Sequence, residues 1–127
     1  TSPLRRVIDI KNAYREIVKH NYDSICSFTD AFLNPYRSWT MSKKKMKPFL
    51  LKPKNIWVNR QKFKKFYQAV GNVIGVNLNK YKKEILFGKT GYIFIQKKYA
   101  IDIDDVDDLK IVKKIFLNEK DINYWNK

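Results

Sequence analysis

An α/β fold is what this sequence predicts, on three observations. Near the start, apolar residues at helical spacing are followed after a short turn by a β-type run, Ser24 to Phe28. Near the end, the strand-like Tyr92 to Ile95 leads through an alternating Ile-Asp-Ile-Asp run into a second amphipathic pattern. Between them, Asn, Pro and Gly break the chain into short β-type runs. Helix, turn and strand in that order make half of a βαβ unit, the building block of α/β sheets. With 127 residues the chain is one domain at most, large enough for a single core.

The elements follow in order. Ile10, Ala13, Tyr14, Ile17 and Val18 recur at i, i+3, i+4, i+7 and i+8. They predict a helix from about Ile8 to His20, with Asp9 favourable in its first turn and Asn21 as its terminator. Asn34-Pro35 interrupts the chain, and Arg37 to Met41 and Phe49 to Leu51 read as strands separated by the Lys43 to Pro48 run. Val73 to Leu78, flanked by Gly71 and Gly75, reads as a strand with close backbone contacts. Tyr81 to Phe87 is a short helical or looped stretch ending at Gly88. The last helix is expected from about Asp105 to Glu119, with Leu109, Val112, Ile115 and Phe116 on its apolar face.

Composition narrows the class. One cysteine, Cys26, and one histidine, His20, exclude a disulfide framework and a zinc site of Cys/His type, and fit a reducing compartment. No apolar run approaches the length of a membrane span, and the start lacks a signal-peptide layout. A cytoplasmic protein without a membrane partner is the expectation. The net charge of +15 points first to nucleic acid. Only five of the 27 basic residues are Arg, however, and Arg is the residue of bidentate phosphate and base contacts. The Lys excess, beside many Asn, Ile and Tyr, reads as compositional bias, so nucleic acid is not the expected partner. The chain begins at Thr1 rather than Met, which suggests processing or a piece of something longer.

Three constellations could carry chemistry. In an extended segment, Ile101 and Ile103 would face one way and Asp102 and Asp104 the other. Two carboxylates on one face suit a hard divalent cation such as Mg²⁺. Helix capping is the competing reading: Asp104 or Asp105 at the N-cap, with Asp107 and Asp108 in the first turn. Capping accounts for Asp105, Asp107 and Asp108 but not for Asp102. In Thr1-Ser2-Pro3-Leu4-Arg5, hydroxyls and an Arg just before a helix could hold an anion or simply satisfy nearby backbone. Arg60-Gln61 lies among Lys62, Lys64 and Lys65; it is either a solvated basic stretch or a bidentate partner for a carboxylate or phosphate. Cys26 and His20 read as structural. No Ser/His/Asp or Cys/His arrangement can be assembled around one His, and a P-loop and a dinucleotide Gly motif are absent.

Taken together, these segments resemble the acylneuraminate cytidylyltransferases, the CMP-sialic acid or CMP-nonulosonate synthetase family. Thr1 to Arg5 is similar to the family's Thr-Ser-Pro-Leu-Arg. Asp23-Ser24-Ile25-Cys26-Ser27 is similar to its Asp-Ser-Val-Val-Ser strand, and Arg60-Gln61 to its Arg-Gln pair. Gly71-Asn72-Val73-Ile74 falls where the family has Asn-Gly-Ala-Ile-Tyr. Ile101-Asp102-Ile103-Asp104, with Asp108-Leu109 after it, resembles Ile-Asp-Ile-Asp and the helix acid beyond.

The resemblance implies the C-terminal portion (1–127) of a Rossmann-like nucleotidyltransferase fold, a mixed sheet flanked by helices, with a central dimerisation extension over 35–66. It implies transfer of CMP from CTP to an acidic nine-carbon sugar with release of pyrophosphate, in a homodimer. Asp102 and Asp104 would hold Mg²⁺, and with Arg60 they form the implied catalytic set. Thr1, Ser2, Arg60, Gln61 and Asn72 would contact substrate. The family's N-terminal half, with its CTP-binding loop, has no counterpart here, so the chain is expected to be inactive alone. Gly71-Asn72 reverses the family's Asn-Gly, and Gly75 stands near its Tyr. The rival reading is a non-enzymatic module that binds nucleic acid through Lys43 to Lys47 and Lys62 to Lys65, with Phe63, Phe66 and Tyr67 interleaved for stacking.

Overall fold

The computed structural model describes residues 2–50, 64–81 and 83–118. These form two units, one built from residues 2–29 and 69–118 and the other from residues 30–50 and 64–68.

The first unit holds helix α1 (Val7–His20), strands β1 (Ser24–Asp30), β4 (Tyr67–Val76) and β5 (Thr90–Phe94), and helix α2 (Val106–Asn118). The strands form a sheet in the order β4-β1-β5. β1 and β5 run parallel, in register from Ser24 opposite Thr90 to Phe28 opposite Phe94. β4 runs the other way: Asn77 N–H, just past its end, donates to the Asp23 carbonyl, while Ser27 further along β1 meets Val73 and Val70. The sheet is therefore mixed.

β1 is central, and its side chains explain how. Ile25 is buried on the core side, yet Ser24, Ser27 and Thr29 are also fully buried. A buried hydroxyl needs a partner, and the two serines use theirs to tie neighbouring segments to the strand. Ser24 Oγ accepts from Phe87 N–H at 3.1 Å and lies 2.9 Å from Thr90 Oγ1. Ser27 Oγ accepts from Val73 N–H at 3.0 Å and donates to the Val70 carbonyl at 2.7 Å. One side chain thus bridges two positions of β4 that are three residues apart, and Gly71-Asn72 bows out between them. The strand expected over Val73 to Leu78 accordingly starts earlier, at Tyr67, and ends at Val76; Leu78 belongs to a 3-10 turn, Leu78–Lys80. The segment that follows, to Phe87, is a loop.

α1 spans the expected residues. Asn21 ends it in the left-handed conformation (φ 50°), its N–H returning to the last turn, as a C-terminal cap does. The buried side of the helix differs from the expected one. Asp9 and Ala13 are buried and Ile17 packs on the core, whereas Ile10, Tyr14 and Val18 are 45%, 68% and 62% exposed. The inward row is 9-13-17, rotated by one residue, about 100°, from 10-14-18. Burial of Asp9 beside Arg6 sets that rotation, and the small Ala13 lets the helix approach the sheet. On α2, Val112 is buried and Ile115 and Phe116 pack on the core, but Leu109 is exposed. Leu4, Ala13, Ile25, Ile93, Ile95, Tyr99, Ala100 and Val112 make one cluster, so both helices share a core with β1 and β5.

In the second unit, Asn34 Oδ1 caps a 3-10 turn (Pro35–Arg37) by accepting from Tyr36 N–H at 2.9 Å. Strands β2 (Trp39–Ser42) and β3 (Lys45–Pro48) then pair as an antiparallel hairpin. The expectation of two strands separated by the Lys run is corrected: the run supplies the turn and the second strand. Lys43 and Lys44 occupy the turn at φ 47° and 60°, the positive values that a tight two-residue hairpin loop requires. Phe49 lies beyond the hairpin, and Leu51 is outside the described residues.

Gly88 (φ 58°) closes the loop before β5 against Asp23, whose carboxylate accepts from Lys89 N–H at 2.7 Å. A Cβ at Gly88 would lie 2.2 Å from Asp23 Oδ2. Gly88→Ala is expected to lower stability by more than about 1 kcal/mol, combining left-handed strain with that clash; an unchanged urea midpoint would refute it.

Candidate functional site

The site lies where the chain leaves the carboxyl end of β5 and where it enters α1. Leu4 is fully buried and anchors the Ser2-Pro3-Leu4 segment; an Ile or Leu so placed contributes about 1.5–3 kcal/mol by burial. That anchoring holds Ser2 against the Asp run: Ser2 Oγ donates to Asp102 Oδ1 at 2.5 Å. Gly71, in the bowed part of β4, opens on the same spot, with its Cβ position 4.0 Å from Ser2 Oγ. Three segments far apart in sequence, around residues 2, 71 and 102, therefore meet.

Ile101 to Asp104 forms no strand; it corrects the extended-strand expectation. None of its backbone is in a sheet ladder, and its last N–H, on Asp104, goes to the Asp108 carboxylate at 3.2 Å. The alternation nevertheless survives in part. Ile101 and Ile103 pack on the core, Asp102 is half-buried and Asp104 is exposed. The acidic cluster divides between the two readings. Asp105 Oδ1 accepts from Asp107 and Asp108 N–H, both at 2.8 Å, and Asp108 Oδ2 reaches back to Asp105 N–H at 3.3 Å. That reciprocal pair is a capping box. Asp107 pairs with Lys110 at 2.7 Å. Asp102 takes no part in the cap.

Behind Asp102 stands Tyr99, 3% exposed, in the 3-10 turn Lys97–Tyr99. Its carbonyl accepts from Asn72 Nδ2 at 2.6 Å. Asn72 is itself buried, so in this fold it shapes the wall of the site, and Gly71 presents the open side. The Arg6 guanidinium sits 4.1 Å from the centroid of the Tyr99 ring and forks onto Asp9, Nε to Oδ2 at 2.9 Å and Nη2 to Oδ1 at 2.7 Å. The hydrogen-bonded Asp9 carboxylate pushes the Arg6 guanidinium above its ordinary value, outweighing burial, which acts the other way. Removing one partner of such a buried pair costs about 3–5 kcal/mol, because the other charge is stranded.

Arg6, Asp9 and Tyr99 did not emerge from the sequence as site residues. Arg6 and Asp9 are three apart at a helix start, a spacing that permits a pair, but nothing local ties either to Tyr99. Thr1, Arg60 and Gln61 lie outside the described residues. Cys26 is buried on β1, and burial raises its thiol above the ordinary value. His20 Nε2 lies 3.3 Å from Glu16 at the end of α1. The Gly75 Cβ position lies 2.9 Å from Ile25 Cγ2, so β4 packs too closely on β1 for a larger side chain there.

The donor set fits Mg²⁺, which binds through one or two carboxylates, keeps several waters and takes phosphate oxygens as further ligands. Asp102 is held in place by Ser2, and Asp104 presents an exposed carboxylate two residues on. Among the described residues no group of three or more acidic, His or Cys side chains is gathered to hold a metal, so phosphate and water would have to complete the shell. Among the same residues no helix is long and apolar enough to cross a membrane. No family model and no curated protein matches the sequence.

Thr29, near the carboxyl end of β1, has a fully buried hydroxyl with no hydrogen-bond partner. Thr29→Val keeps the shape and removes the unsatisfied group, so a gain of about 1 kcal/mol is expected in urea unfolding. A loss instead would show that the hydroxyl is satisfied by bound water.

Proposed function

We propose that this chain forms the metal and sugar side of a cytidylyltransferase that transfers CMP from CTP to an acidic nine-carbon sugar. The observation that carries the reading is the Ser2–Asp102 hydrogen bond with Gly71 beside it. Three segments that resemble the synthetase motifs, distant in sequence, converge at the carboxyl end of a parallel strand pair. Ligands of open α/β sheets bind at that end.

In the reaction the anomeric hydroxyl of the sugar attacks the α-phosphate of CTP and pyrophosphate leaves. Asp102 and Asp104 would hold Mg²⁺, which supplies charge neutralisation on the phosphates when bound. The chain's own contribution is positioning. Ser2 orients Asp102 by donating to one carboxylate oxygen, which leaves the other oxygen for a ligand. Leu4 fixes Ser2, and Gly71 leaves room next to both for a bulky polyhydroxylated substrate. Arg60, Gln61 and Thr1 would supply further contacts to sugar and phosphate. In the protein carrying a complete nucleotide site, Asp102→Ala is expected to abolish Mg²⁺-dependent pyrophosphate release from CTP and sugar. Turnover equal to that of the unaltered protein would remove the metal assignment.

The homodimer belongs to the same proposal. Cross-strand pairing places Trp39 opposite Pro48 and Met41 opposite Met46, so these four share one face of the hairpin. Trp39, Met41 and Met46 are 42%, 77% and 58% exposed. A two-stranded hairpin is marginal by itself, and an apolar face of this kind is suited to cover by a second copy. Met41→Lys is expected to shift sedimentation from dimer to monomer without loss of secondary structure; an unaltered sedimentation coefficient would place the interface elsewhere.

A further inference from the structure

We propose that Arg6 is a positioning residue for the Asp102 carboxylate, acting through Tyr99. The inference rests on the metal reading of Asp102 and extends it to a residue that touches neither metal nor substrate. The Ser2–Asp102 hydrogen bond joins two segments that have no ladder between them, so its geometry depends on what fixes each segment nearby. One clamp fixes both. Arg6 lies four residues after Ser2, and Tyr99, under its guanidinium, lies three residues before Asp102.

Every side of the clamp is occupied. Asp9, 4% exposed, holds both Nε and Nη2 of Arg6, which fixes the plane of the guanidinium. That plane covers the Tyr99 ring from one side, and Asn72 holds the Tyr99 carbonyl at 2.6 Å. Tyr99 N–H donates to the Gln96 carbonyl at 2.9 Å and Ala100 N–H to Lys97 at 3.0 Å, so the turn before Asp102 moves as a unit. Beyond Asp102 the chain is held by Ile103 on the core and by the Asp105–Asp108 cap. Asp102 is thus suspended between a cap that the sequence encodes locally and a clamp that only the fold assembles. Arg suits the position because a planar fork can serve a carboxylate with its edge and an aromatic ring with its face at once. Lys would keep the charge and lose both geometries.

The test compares the unaltered chain with Arg6→Met, Arg6→Lys, Ser2→Ala and the double variant Arg6→Met/Ser2→Ala. Far-UV circular dichroism serves as the check that each variant folds. The probes are Mn²⁺ alone, titrated by its electron paramagnetic resonance signal, and amide exchange with backbone NMR shifts at residues 99–102. Both Arg6 variants are expected to weaken Mn²⁺ binding by about tenfold, the usual effect of a residue that orients a ligand. They are also expected to speed exchange at Ala100 and shift the Asp102 amide. The double variant should bind no more weakly than the poorer single one, since both changes act on one hydrogen bond. Rescue of affinity and exchange by Arg6→Lys would reduce Arg6 to a charge partner of Asp9 and overturn the proposal, as would unchanged Ala100 exchange in a folded Arg6→Met. If the unaltered chain binds no Mn²⁺, the metal reading fails; exchange and shifts at residues 99–102 then still decide whether Arg6 positions Asp102.

Discussion

The parallel pairing of β1 with β5 is the constraint on which the rest of the first unit depends. It brings together strands separated by sixty residues and sends the chain out of β5 at the end of the sheet where α1 begins. A parallel pair cannot be closed by a tight turn, so everything between the two strands must return the chain to the starting edge. β4, running antiparallel on the other side of β1, is part of that return. The buried hydroxyls of Ser24 and Ser27 hold it in place: one ties down the loop before β5, the other ties down β4. Polar groups at the centre of a sheet would cost stability if left alone, and here they set the position of their neighbours.

The bow in β4 follows from Ser27 and matters for the site. Because a single hydroxyl reaches both Val70 and Val73, the two residues between them leave the ladder. Asn72 turns inward to Tyr99 and Gly71 is left beside Ser2. A local irregularity in one strand thus becomes both a wall and an opening. The same economy holds at the acidic run, where Asp105 and Asp108 satisfy the start of α2 and Asp102, three residues earlier, is free to serve a different purpose.

Much of the fold was legible because its signals are local. The span of α1 and its Asn21 terminator, the β1 run, the strand ending near Ile95 and the start of α2 all depend on spacing and capping within a few residues. The hairpin was half legible: a Lys-rich stretch reads as a solvated loop, yet its cross-strand alternation of Met and Lys is a strand pattern. What misled was periodicity read without a neighbour. Ile10, Tyr14 and Val18 make a good apolar row, but α1 turns the adjacent row inward because Asp9 is paired with Arg6. Ile101 to Asp104 alternates as a strand does, but no strand lies beside it to accept its hydrogen bonds.

The sequence by itself determined the α/β class, the order of helix and strand at both ends, the acidic cap of α2 and the presence of Ser2, Arg60, Gln61, Asp102 and Asp104 in a recognisable order. Those are properties of residues and their near neighbours. Only the tertiary structure decided that Ser2 and Asp102 touch, that Asn72 is buried while Gly71 faces the opening, and that Arg6, Asp9 and Tyr99 stand behind the site. Contacts between residues a hundred positions apart are set by how the sheet closes, and no local spacing in the chain encodes that closure.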